Sequence, residues 1–103
     1  MKTQKCYLLL RQIPKGKVTT YKEIAMALKT SPRAVGQMLN KNKEPDKYPC
    51  YKVVCFDSCI GGYSKGVKEK IRRLRKDGIE VKNGRIKNFE KIVFRNFQTK
   101  MRI

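Results

Sequence analysis

The 103-residue sequence predicts a mainly α-helical domain: a three-helix core carrying a helix-turn-helix, with a short β-hairpin wing. Three observations predict it. Apolar residues recur at helical spacing in four separate segments, two of those segments meet across a very short junction, and an Asn-Gly pair further on separates two short strand-like runs.

Cys6, Leu9, Leu10 and Ile13 form an i, i+3, i+4, i+7 stripe, which predicts a first helix within residues 3–13, ended by Pro14-Lys15-Gly16. Val18-Thr19-Thr20 reads as a short extended approach. Thr20-Tyr21-Lys22-Glu23 is a capping box, and the helix that it opens carries Tyr21, Ile24, Ala25 and Leu28 on one face. Lys29-Thr30 is a tight connection. Ser31 then serves as N-cap and Pro32 as the first residue of a third helix running to about Asn40, with Val35, Met38 and Leu39 inward. Residues 42–66 read as irregular and include a Gly61-Gly62-Tyr63-Ser64-Lys65-Gly66 loop. A fourth helix is expected from Val67 to about Lys76, stopped by Gly78. Its inner face would carry Val67, Ile71 and Leu74, and its outer face Lys68, Lys70, Arg72, Arg73, Arg75 and Lys76. Asn83-Gly84 between Ile79–Lys82 and Arg85-Ile86 marks the hairpin wing. The main domain is expected over residues 1–88, with 89–103 a basic and apolar tail or last helix.

Lys plus Arg is 26 and Asp plus Glu is 8, a net charge of +18. Such an excess favours a polyanionic partner, nucleic acid first and an anionic membrane surface second. The absence of histidine excludes Ser-His-Asp and Cys-His catalysis, His-containing metal sites and a histidine pH switch. No apolar run approaches the roughly 20 residues of a membrane span, and no apolar stretch follows the N-terminal Met1-Lys2. A non-secreted protein is therefore expected, in the cytoplasm or nucleoid, or in the nucleus of a eukaryote. Cys6, Cys50, Cys55 and Cys59 contain no CxxC pair, so no metal is expected, and Cys55 and Cys59 read as packing residues. On the third helix Arg33, Gln37, Asn40 and the following Lys41 offer donors suited to phosphates and base edges. A plain helical hairpin with a solvated polar face is the alternative, and the +18 charge favours nucleic acid.

One cysteine has a special setting: Tyr48-Pro49-Cys50-Tyr51-Lys52-Val53-Val54. Proline fixes the backbone before the thiol, and a lysine follows two places on; a positive field raises the thiolate fraction, and the thiolate is the nucleophile. The order of the wider set is more specific. Ile13-Pro14-x-Gly16, Thr20-Tyr21-x-x-Ile24-Ala25, Arg33-Ala34-Val35-Gly36, Asn42, Pro49-Cys50-x-x-Val53 and Gly61-Gly62-Tyr63-Ser64-x-Gly66 follow in register over about residues 6–86. This resembles the active-site domain of the O6-alkylguanine-DNA alkyltransferases.

The resemblance implies a winged helix-turn-helix that binds double-stranded DNA through the minor groove, flips out O6-alkylguanine and moves its alkyl group irreversibly to a cysteine. Each molecule would act once, as a monomer, with no cofactor. Cys50 would be the acceptor, Arg33 the finger that replaces the flipped base, and Tyr21 the residue pressing on the 3′ phosphate. Asn42 would support the turn before the cysteine. Tyr63 and Ser64 would close the base pocket, Tyr63 supplying a donor to the departing oxygen, and Val53 would help to read the guanine edge. The implied substrate-binding set is Val53, Ser64, Tyr63 and Lys52, and the DNA-binding set Arg33, Tyr21, Thr20, Ser31, Gln37, Asn40 and Lys41. Where the family has Pro-Cys-His-Arg-Val, this chain has Tyr51 and Lys52, and Asp77 stands where the family has a glutamate behind the histidine. A phenol near pKa 10 is a poorer base than an imidazole near 6.5, so the expectation is either an altered proton relay through Tyr51 and Asp77 or a thiolate held electrostatically by Lys52 and a helix N-terminus. The alternative is an alkyltransferase-like protein that binds the lesion without transfer and flags it for excision repair; the retained cysteine favours transfer. The family's usual N-terminal domain is missing from this sequence, and a second domain or a repair partner is an open expectation.

Overall fold

The computed structural model describes residues 2–63 and 65–98. Helix α1 (Lys2–Leu10) turns Cys6, Leu9 and Leu10 fully inward, and three further residues tighten into i→i−3 turns that bring Ile13 to the core before Pro14 ends the run. The strand β1 (Thr19–Thr20) leads directly into α2 (Tyr21–Leu28). Thr20 Oγ1 accepts the Glu23 N–H at 3.0 Å, one half of the expected capping box. Glu23 turns its carboxylate to Arg95 instead, at 3.5 Å. Lys29, in the left-handed conformation, ends α2. Ser31 then caps α3 (Pro32–Asn40), its Oγ accepting the Ala34 N–H at 3.1 Å. Helices α1, α2 and α3 enclose one apolar cluster that includes Leu9, Ile24, Val35 and Leu39.

The loop between α3 and the cysteine is organised by Asn42, which is buried. Its Nδ2 donates to the Tyr48 carbonyl at 2.8 Å and its Oδ1 accepts the Glu44 N–H at 3.0 Å. Cys50–Lys52 form a single 3-10 turn that runs into β2 (Val53–Val54). Strand β2 pairs in parallel with β1, Thr19 against Val53 and Thr20 against Val54. Pairing of two two-residue strands from distant parts of the chain has no local pattern, which is why residues 42–66 read as merely irregular. Helix α4 (Val67–Lys76) follows, and the hairpin β3 (Val81–Lys82) and β4 (Arg85–Ile86) turns at Asn83-Gly84 as expected. A second apolar cluster around Val18, Val54, Leu74 and Ile79 joins these parts.

The described part of the tail, residues 89–98, packs on this body. After α5 (Phe89–Ile92) the chain runs beside Val18, whose N–H donates to Ile92 and whose carbonyl accepts from Phe94, while Phe94 and Phe97 pack on the first cluster.

Two expectations for α4 are corrected. Lys70, read as part of the exposed basic face, is fully buried, and Val67, read as inward, is 45% exposed. The helix enters from the 61–66 loop with its first turn standing off the core, so the inward stripe starts at Lys70 and Leu74. Arg73 is also mostly covered, reaching Asp46 at 3.2 Å.

Lys52 and Asp77 form a buried ion pair at 3.1 Å; Lys52 Nζ also donates to the Pro14 carbonyl at 3.1 Å, and Asp77 accepts the Gly16 N–H at 2.9 Å. The pair pins the cysteine turn, the 14–16 turn and the end of α4 together. Removing one partner leaves a buried charge, so Asp77→Ala is expected to destabilise the domain by about 3 kcal/mol in urea denaturation, and Asp77→Asn by less.

Candidate functional site

A cavity of about 870 Å³ opens between the helix-turn-helix and the cysteine strand. Cys50 lines it, with Tyr21 and Lys22 from α2, Arg33 and Asn40 from α3, and Tyr63 from the loop before α4. Its size is within the range of small-molecule and base-binding clefts. The pairing of β1 with β2 produces this convergence: it sets the start of α2, where Tyr21 sits, beside the strand that follows Cys50.

The Tyr63 hydroxyl is buried and finds no well-formed hydrogen bond among the described residues. Burial first, then the Cys50 sulfur beside it, push this phenol up to about 12. It is therefore a protonated donor across the neutral range, beside the Cys50 sulfur in the cavity. Burial and the nearby Cys55 and Cys50 also raise Tyr21. Cys6 lies behind Cys50, in the core; burial, and then Cys50, push its thiol up to about 12, which makes it a packing residue and a poor nucleophile.

Lys70 is the functional-site residue that sequence reasoning missed. Its Nζ donates to the Val53 carbonyl at 2.7 Å and to the Gly62 carbonyl at 3.1 Å, and lies 5.9 Å from the centre of the Tyr21 ring. Burial lowers it to about 8, against the opposing pull of Cys55 and Cys50. It is thus a cation set behind the wall of the Cys50 cavity. The only signal in the sequence was its place on the Leu74 side of α4, and five basic neighbours on the same helix hid it.

The remaining expected residues divide clearly. Val53 is fully buried, and its carbonyl already accepts Lys70. Lys52 was expected at the substrate; its ammonium is spent on Asp77 and Pro14, and it does not line the cavity. Thr20 was expected at DNA, but it is buried as the cap of α2. Ser31, Gln37 and Lys41 are exposed on or beside α3 without lining the cavity, and Asn42 holds the loop leading to Cys50. Ser64 lies outside the described residues.

Tyr51 and Asp77, expected as a relay to Cys50, line a different cavity with Lys15, Arg72, Arg73 and Lys76. Burial, then Asp77, raise the Tyr51 phenol. The 3-10 turn sends consecutive side chains to different sides, so Cys50 and Tyr51 face separate spaces. Cys55 and Cys59, read as packing residues, line the Cys50 cavity. Among the described residues no group of three or more Cys, Asp or Glu side chains is placed to hold a metal ion.

Residues 2–79 match the model of a family described as 6-O-methylguanine DNA methyltransferase, DNA binding domain. The chain is 52% identical over 95 residues to a bifunctional methyltransferase/endonuclease of Picrophilus torridus, a match covering 90% of this chain and 32% of that protein. It is 46% identical over 72 residues to a methylated-DNA–protein-cysteine methyltransferase of Sulfolobus acidocaldarius, covering 70% of this chain and 46% of that one. The chain thus spans less than half the length of these curated relatives. Among solved structures it is similar to an O6-methylguanine-DNA methyltransferase from Pyrococcus kodakaraensis, with a TM-score of 0.68, 40% identity, and coverage of 75% and 45% of the two chains. It is also similar to S. pombe Atl1 in complex with damaged DNA containing O6-carboxymethylguanine, with a TM-score of 0.81, 27% identity, and coverage of 92% and 95%.

The buried lysine predicts a pH signature. Its folded pKa of about 8 lies below the ordinary 10.5, so the folded state loses this proton first. Charging Lys70 costs stability below about pH 8, and that cost is relieved as the pH rises toward the unfolded value. Cys6 and Tyr63 act in the opposite sense, holding their protons in the fold and lowering stability at higher pH. Between about pH 7.5 and about pH 9 the wild-type chain is expected to gain about 1 kcal/mol relative to a Lys70→Met variant, measured by urea denaturation at each pH.

Proposed function

We propose that this chain, which belongs to the 6-O-methylguanine DNA methyltransferase DNA-binding-domain family, binds duplex DNA, turns an O6-alkylated guanine into the cavity and takes its alkyl group onto Cys50. The observation that carries this reading is the meeting of a thiol and a protonated phenol, Cys50 and Tyr63, in one cavity framed by the helix-turn-helix.

The chemistry suits those groups. The Cys50 thiol gives up its proton, and the sulfur forms a bond to the alkyl carbon as the carbon–O6 bond breaks. The electron pair stays on the guanine, which takes up a proton and leaves neutral. Tyr63 supplies a hydrogen bond where negative charge develops on O6. Lys70, behind the cavity wall, is a buried counter-charge for the thiolate. Arg33 stands at the opening and fills the gap in the base stack, offsetting the few kcal/mol lost on flipping. Asn40, Gln37, Lys41 and Ser31 are on the α3 side that would meet the phosphates, and the +18 charge supplies sequence-independent affinity. The thioether is not reversed, so each molecule transfers once and needs no cofactor.

A second reading is lesion sensing without transfer. It is favoured by Tyr51 and Asp77 facing a separate cavity, which leaves Cys50 without a carboxylate-backed base, and by the likeness to Atl1 over nearly both chains.

Intact-mass measurement after incubation with a duplex containing O6-methylguanine separates the two. Transfer predicts a gain of one methyl group on Cys50, saturating at one per molecule and lost in Cys50→Ala. Lesion-selective binding with no mass change would establish the sensor instead. If transfer occurs, Tyr63→Phe is expected to slow it by about a hundredfold while leaving the final stoichiometry at one, as single-turnover mass kinetics would show.

A further inference from the structure

The most exposed large apolar side chain among the described residues is Phe56, at 73%, and it lines the same cavity as Cys50 and Arg33. It is held out on a tight, braced hairpin. The Cys55 N–H donates to the Cys59 carbonyl at 2.8 Å, the Ser58 N–H donates to the Cys55 carbonyl at 3.1 Å, and Ser58 takes the left-handed φ of 75° that closes such a turn. Asp57 Oδ1 accepts the Cys59 N–H at 3.2 Å.

The β3–β4 wing clamps this tip from behind. Arg85 Nη1 donates to the Asp57 carbonyl at 2.8 Å, the Ile86 N–H to the Ser58 carbonyl at 2.9 Å, and the Ile60 N–H to the Gly84 carbonyl at 3.1 Å. Exposing an aromatic ring to water is unfavourable, and the hairpin that carries this one is braced by backbone and Arg85 hydrogen bonds. A ring so held is preorganised for a flat apolar partner. Lys22, Arg33 and Asn40 line the same opening, and cations and amide donors beside an unpartnered ring match the phosphates and bases of nucleic acid.

We propose that Phe56 is a base-stacking residue, its ring covering a nucleobase left unstacked beside the flipped nucleotide. This inference rests on the DNA reading above and adds a second contact to it, on a different element from Arg33. Stacking on an aromatic ring tolerates any base, so the contact holds the opened duplex without reading its sequence.

Because Phe56 is exposed, its variants should fold with an unchanged unfolding midpoint. With a duplex containing O6-methylguanine, Phe56→Ala is expected to bind about tenfold more weakly than the wild-type chain. Phe56→Trp should restore affinity and Phe56→Leu should not. The sequence contains no tryptophan, so the Phe56→Trp protein carries a single reporter whose fluorescence should be quenched on binding. Wild-type affinity in Phe56→Ala, rescue by Phe56→Leu, or an unquenched tryptophan would each overturn the inference while leaving the DNA reading standing. Failure of the wild-type chain to bind the lesion duplex would remove both.

Discussion

The Lys70 ammonium joins three parts of the chain that the sequence keeps apart: the strand after Cys50 through the Val53 carbonyl, the Tyr63 loop through the Gly62 carbonyl, and the start of α2 through the Tyr21 ring. A bare ammonium in the interior is costly, and this cost is met by carbonyl oxygens and a π-face in place of water. Two of these sites, Gly62 and Tyr21, line the cavity, and Val53 follows the Cys50 turn, so one buried cation helps to hold Cys50, Tyr63 and Tyr21 in place together with the β1–β2 pairing. Its lowered pKa records the same fact as an energy: the fold tolerates the charge and does not favour it.

Lys52 makes the complementary tie on the other side of the cysteine turn, to Asp77 and the Pro14 carbonyl. A chain with a net charge of +18 therefore uses two of its lysines as internal cross-links, while most of its other described cations are exposed. The two roles answer to different physics. Surface cations act through long-range attraction that salt screens, whereas the buried pair depends on short contacts that salt does not reach. The wing divides in the same way: it is a brace for the Cys55–Cys59 hairpin, bonded to it through backbone groups and Arg85.

The absence of histidine shapes the chemistry available at Cys50. Tyr51 and Asp77 occupy a polar cavity of about 380 Å³ on another side of the 3-10 turn, where Arg73 and Lys15 also lie. What the Cys50 cavity itself contains is a protonated phenol and, behind its wall, a cation. Both stabilise negative charge, and neither is a strong base at neutral pH. Such groups can stabilise charge that develops on a nucleophile or a leaving group, which is what the alkyl transfer proposed above would demand.

The helices were legible in the sequence because their information is local. The stripe Cys6, Leu9, Leu10, Ile13, the caps Thr20 and Ser31, Pro32 at the start of α3 and the Asn83-Gly84 turn each act over a few residues, and each lies where its pattern places it. Cys50, Tyr21, Arg33 and Tyr63 are singled out by the motifs that carry the family resemblance, and they meet in one cavity. Other assignments depended on contacts that no spacing encodes. Whether Lys70 or Lys52 faces water was decided by carbonyls and a carboxylate between 8 and 38 residues away in the chain. Whether Tyr51 shares a space with Cys50 was decided by the turn that the β1–β2 pairing imposes. Local propensity fixes an element and its apolar face, but the partner of a buried charge is chosen only when distant segments close over it, because only then is water removed and the charge compelled to find another ligand.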